Sequence, residues 1–153
     1  MFGTRRQYFL CNRATGRRFK LLARATPRLV RRAGNYLVYA RNDSPRRACD
    51  IGNPCSADAE SRNIRTGRLR ASLFVASPDG VPRFRKLVVR AKTGHVGAAA
   101  DDGSGSVKVF VATGAGVFDD VDDDPGIAAR SLRLRGTTLS WKRLGVKVSS
   151  RLR

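Results

Sequence analysis

The chain has 153 residues, 31 Lys+Arg against 12 Asp+Glu, and a formal net charge of +19. That length suits one domain, and 41% hydrophobic residues are enough for a core, so the chain is not disordered as a whole. No apolar run approaches the roughly 20 residues that a membrane-crossing helix needs.

A helical period is nearly absent. Short alternating or apolar runs separated by turn residues dominate, which predicts β structure throughout. Strands are expected first at 7–12, 18–23, 28–31 and 36–41. Residues 42–60 read as an insertion. Further strands are expected at 61–65, 69–76, 83–91 and 95–100, then at 107–112, 131–135, 138–142 and 146–152. Thr15-Gly16, Thr66-Gly67, Thr93-Gly94 and Thr113-Gly114 read as tight turns, because glycine adopts positive φ at little cost.

Two of these turns share more than glycine. Residues 12–17 and 63–68 both fit N-x-x-T-G-R, and Gly16 and Gly67 lie 51 residues apart. Residues 29–39 resemble residues 132–141: basic residues, a glycine, then Leu and an aromatic two positions later. Gly34 and Gly136 are 102 residues apart. Together they suggest units 1–51, 52–102 and 103–153 within one domain, 1–153. A unit of about 50 residues with some four strands has the size of a propeller blade. The expected fold class is therefore all-β and antiparallel, propeller-like, with about three blade-like four-stranded sheets. Propellers typically close with four blades or more, so this would be an incomplete propeller. Its open edges would meet missing blades or a second copy.

Residues 8–39 carry a family resemblance. A strand ends in N-x-x-T-G-R, a short apolar strand follows, and then Gly34-Asn-Tyr36-Leu-Val-Tyr39. This resembles blades of TolB-like and WD-type β-propellers. Residues 126–141 are similar to the closing strands of exported actinobacterial propeller-like proteins. The resemblance implies fold, not chemistry, because its motifs are turn and strand signatures. The low blade number and the 42–60 insertion depart from the pattern.

The cations are 25 Arg and 6 Lys. Residues 1–92 carry 22 basic and 5 acidic side chains, a net +17; residues 93–153 carry 9 and 7, a net +2. Such a surface attracts polyanions. Codon bias in a high-GC genome is the plainer source of so much Arg. The Arg come as pairs rather than as a block or helical stripe, and Arg17, Arg18, Arg31 and Arg32 are candidates for contact with an anionic partner.

Cys49 and Cys55 bracket a turn-rich Asp-Ile-Gly-Asn-Pro, which suits a small disulfide ring. Free thiols are the competing reading. C-x5-C lacks zinc-knuckle spacing. Cys11 reads as a buried, inert thiol. Residues 8–11 are too short for the apolar core of a signal peptide, whereas a disulfide favours an oxidising compartment. An extracytoplasmic location is expected, with the chain as part of a longer exported protein or with a mis-called start. A cytoplasmic location is the alternative.

The run Phe118-Asp119-Asp120-Val121-Asp122-Asp123-Asp124 is the sharpest local feature. Asp120, Asp122 and Asp124 alternate as in a Ca²⁺ loop, although Pro125 and Ser131 stand where an EF-hand needs Gly and Glu. A solvated acidic loop is the plainer reading. Catalysis is not expected. The single His95 sits in an apparent hairpin, no G-x-S-x-G surrounds a serine, and no phosphate-binding glycine loop opens a helix. Tyr36, Tyr39 and Trp141 suit inter-sheet core better than a stacking platform. The functional expectation is a non-catalytic binding or interaction module whose partner is a protein or an anionic cell-envelope polymer. The alternative is a basic cytoplasmic nucleic-acid-binding protein, and the third reading is a metal-assisted hydrolase.

Overall fold

The structure, a computed structural model, describes residues 8–11, 16, 18–21, 28–42, 49, 51–52 and 54–152. They form thirteen strands in four antiparallel sheets, with a single 3-10 turn at Ala129–Ser131. A hairpin pairs β1 (Tyr8–Cys11) with β2 (Arg18–Leu21). The first large sheet runs β3 (Arg28–Ala33), β4 (Tyr36–Asn42), β5 (Cys55–Asn63), β6 (Leu69–Ser77). The second runs β7 (Arg83–Val89), β8 (Val96–Asp101), β9 (Val107–Gly114), β10 (Val117–Asp124). The third has β11 (Arg133–Arg135), β12 (Thr138–Arg143) and β13 (Val146–Arg151). Each is a meander in which strands adjacent in sequence pair. The all-β, antiparallel, blade-like class expected from the sequence is the one adopted, with sheets of four, four and three strands.

The three large sheets stack in chain order. Alternate side chains of a strand leave by opposite faces, and the second sheet is buried on both. Val96, Ala98 and Ala100 pack with Phe84, Leu87 and Phe110 against Val38, Ala57, Ala71 and Leu73 of the first sheet. Ala99, Val109 and Val111 pack on the other side against Leu132, Leu139, Trp141 and Leu152. This is why β8 is a small-residue run, Val-Gly-Ala-Ala-Ala, with every member buried. Gly97 shows how close the layers come: a Cβ there would lie 2.5 Å from Leu139 Cδ1 and 2.9 Å from Val88 Cγ2.

The repeated strings fall between paired strands. The N-x-x-T-G-R strings join β1 to β2 and β5 to β6, with Gly16 at φ +66° and Gly67 at φ +73°. In the second, Asn63 Oδ1 accepts from the Arg65 and Thr66 amides at 2.9 and 3.2 Å, a side-chain turn that explains the Asn. Gly34 and Gly136, at φ +56° and +58°, join the first two strands of their sheets. The sheets thus span 28–77, 83–124 and 133–151, out of phase with equal thirds, because one repeated turn opens a sheet and the other closes it.

Two expected loops are strands. Residues 55–60, read as insertion, belong to β5, whose Cys55, Ala57, Ala59 and Ser61 face the core. Its intervening Asp58, Glu60 and Arg62 made the segment read as a loop. They leave by the opposite face, where Glu60 accepts from Tyr39 Oη at 2.5 Å, Arg41 at 2.7 Å and Arg62 at 3.0 Å. The acidic run is β10, the outer strand of the second sheet.

Candidate functional site

The first strand of each large sheet is its basic strand. β3 carries Arg28, Arg31 and Arg32; β7 carries Arg83, Arg85 and Lys86; β11 carries Arg133 and Arg135. None of the three strands contains a carboxylate. Stacking sets them side by side, with β7 between β3 and β11. Arg31, Arg32, Lys86 and Arg133 there line a cleft of about 290 Å³ floored by Leu87 and Leu134. Arg31, Arg32 and Arg133 are exposed. Arg31 Nη1 donates to Val30 O at 2.9 Å and Arg32 Nε to Gly34 O at 3.3 Å. Backbone carbonyls therefore hold these guanidiniums without neutralising them.

Among the described residues, the ion pair on these strands is Arg85–Asp101, at 2.5 Å. Burial opposes ionisation of Asp101, but Arg85 and the Gly103 amide hold its carboxyl below the usual range. The other cations of the three strands have no ion-pair partner among the described residues. The opposite side of the second sheet has the opposite sign, since β10 carries five Asp. The field therefore runs across the sheet, positive at the first strands and negative at the last.

Sequence reading singled out half of this cleft. Arg31 and Arg32 are in it. Arg18 is exposed on the β2 hairpin, and Arg17 lies outside the described residues. Lys86 and Arg133 were passed over, because Arg-Phe-Arg-Lys and Arg-Leu-Arg look unremarkable alone. Aligning the chain on Gly34 and Gly136 puts β3 and β11 in equivalent places, whereas neither repeated turn marks β7.

The structure does not bring Asp120, Asp122 and Asp124 together as a cation loop. A bulge between Asp120 and Asp122 breaks the alternation. Asp122 accepts from Trp141 Nε1 at 2.6 Å and Arg143 at 2.9 Å, tying the second sheet to the third. Asp124 Oδ1 accepts from the Gly126 amide at 2.6 Å. Burial pushes Asp120 up, with Lys108 acting against it. Ser106 and Lys108 hold Asp123 down. Among the described residues no group of three His, Cys, Asp or Glu side chains is placed to hold a metal. The run is a charged, bulged edge strand, a form that discourages pairing with other chains.

Cys49 and Cys55 are joined as a disulfide, with Cα atoms 5.2 Å apart. Cys11 is exposed rather than buried, because it alternates outward on a two-stranded hairpin. His95 is buried, with Nε2 3.4 Å from Arg70 Nη2. Trp141 is inter-sheet core, at 2% exposure, and Tyr36 packs at the margin of the first core, whereas Tyr39, at 0% exposure, is buried on the other face of the first sheet with Glu60 and Arg62.

No protein-family model, curated protein or solved structure matches the chain.

Proposed function

We propose that this chain is a non-catalytic binding module of a β-propeller-like exported protein, and that it holds an anionic cell-envelope polymer along its first strands. The observation that carries the reading is the cleft of Arg31, Arg32, Lys86 and Arg133 on three adjacent strands without carboxylates. The resemblance to TolB-like and WD-type blades supports the architecture, since propeller blades are four-stranded antiparallel sheets and two of the three large sheets here have four strands. The Cys49–Cys55 disulfide supports an oxidising compartment.

Phosphate and carboxylate polymers are bound chiefly by displacing counterions, so affinity falls with salt. Borrowing the slope known for nucleic acids, about 0.7–0.9 per contact, four cations give a logarithmic slope near −3. The experiment is a fluorescence titration of labelled polyphosphate, heparin and double-stranded DNA at two salt concentrations. Polyphosphate or heparin should weaken roughly 50-fold between 50 and 200 mM salt. The Arg31→Gln, Arg32→Gln, Lys86→Gln variant should lose at least tenfold in affinity at low salt. The reading fails if that variant binds as the parent does. It fails in favour of a nucleic-acid protein if DNA binds tightest and retains a sequence preference at moderate salt.

A further inference from the structure

The outer face of the third sheet belongs to no core and meets the cleft only at Arg133, which stands at the border of the two. Residues 126–153 hold eight Lys and Arg and no acid. Leu139 and Trp141 point inward to the second sheet, so their neighbours Thr138, Ser140 and Lys142 point outward. Pairing fixes what stands beside them. Arg135, Thr138 and Arg151 form one row, Arg133, Ser140 and Ser149 the next, and Lys142 faces Lys147 in the third. Three hydroxyls in the middle are thus surrounded by five cations. All eight residues are exposed apart from half-buried Ser140. Among the described residues none of the five cations pairs with a carboxylate.

We propose that this face is a second, planar site, and that its occupant is a linear polyphosphate-type chain. The proposal rests on the polyanion-binding reading above and adds a different surface and a ligand class. Charge complementarity requires a polyanion. Tetrahedral oxyanions match the mixture of hydroxyl donors and cations, because each offers several acceptor oxygens to charge-assisted bonds. Neighbouring outward positions lie about 4.8 Å apart across strands and about 6.8 Å apart along them. Successive phosphates of an extended chain can therefore each meet a different cation. Nucleobases have nothing to stack on here, since the sheet's aromatic ring, Trp141, is 2% exposed and faces inward.

The test uses the full chain and two variants. One is Lys142→Gln, Lys147→Gln, Arg151→Gln on the outer face; the other is the cleft variant above. Inorganic polyphosphate is titrated against each, with single-stranded DNA and heparin at matched charge. The outer-face variant should lose at least tenfold in polyphosphate affinity, while Lys142→Arg, Lys147→Arg retains it. Unchanged denaturation midpoints check that each variant folds. If the outer-face variant loses affinity and the cleft variant does not, the face is the site and the cleft reading falls. If the cleft variant alone loses affinity, this inference is overturned and the proposed function stands. Equal dependence of DNA or heparin binding on the outer face overturns the assignment to a phosphate chain.

Discussion

Replacing Glu60 by Ala should cost about 3 kcal/mol. Its carboxylate holds Tyr39 Oη, Arg41 and Arg62 within 3.0 Å, and the side chains of Arg41, Arg62 and Glu60 are only 15%, 13% and 11% exposed. Removing one partner of a buried ion pair typically costs about 3–5 kcal/mol, because it leaves a buried charge uncompensated. The lower end applies here: Arg41 keeps Asp58 at 3.4 Å and Arg62 keeps Gly67 O at 3.1 Å. For a chain of this length that loss is a fall of roughly 6–12 °C in melting temperature. Urea unfolding followed by Trp141 fluorescence reads it directly. A cost below about 1 kcal/mol, the value of an exposed pair, would refute the argument that this face is interior.

Tyr39 gives the same cluster a pH signature. Burial, then its bond to Glu60, pushes its phenol up to about 12 from 10.0. A group with a raised folded value stabilises fully below its unfolded value and loses that contribution as pH rises through the folded one. Stability should therefore fall between pH 10 and 12, by on the order of 2–3 kcal/mol. Absorbance near 295 nm should show a tyrosine titrating late, and Glu60→Ala should bring it part of the way down.

Three further outcomes follow from the packing. Reducing Cys49–Cys55, which are separated by 6 in sequence, should cost about 2 kcal/mol by loop-closure entropy and lower the melting temperature by several degrees; no shift with reductant would mean the bridge does not form. Gly97→Ala should destabilise by about 2 kcal/mol through its clash with Leu139, and adding Leu139→Ala should return part of the loss in a double-mutant cycle. Asp119→Val with Asp120→Val should raise light scattering at constant monomer stability, by removing charge from the β10 edge.

Alternation and glycine turns made most of the fold legible, because strand β4 and the strands of the third sheet show their buried faces as apolar letters. β5 was hidden because its core-facing positions are Cys, Ala, Ala and Ser, and the alternating Asp58, Glu60 and Arg62 are charges satisfied across the sheet by Tyr39 and Arg41 or by one another. No local pattern announces such a pairing, which depends on register. β10 was hidden because its exposed Asp119, Asp120 and Asp123 suit an edge strand for the same reason that they suit a loop: both face water. The acid that matters most there, Asp122, is tied to Trp141 from another sheet. The cleft was half legible for a related reason. Arg31 and Arg32 stand together in the chain, whereas Lys86 and Arg133 join them only once the sheets stack.

The most direct measurement is lysine acetylation of the folded chain, with and without saturating polyphosphate, quantified residue by residue by mass spectrometry. Lys86 on the first-strand cleft and Lys142 and Lys147 on the outer face should be protected. Lys108, held by Asp123 at 3.0 Å on the acidic side, should react at the same rate in both samples. Protection of Lys108, or unchanged reactivity at Lys86, would contradict the account.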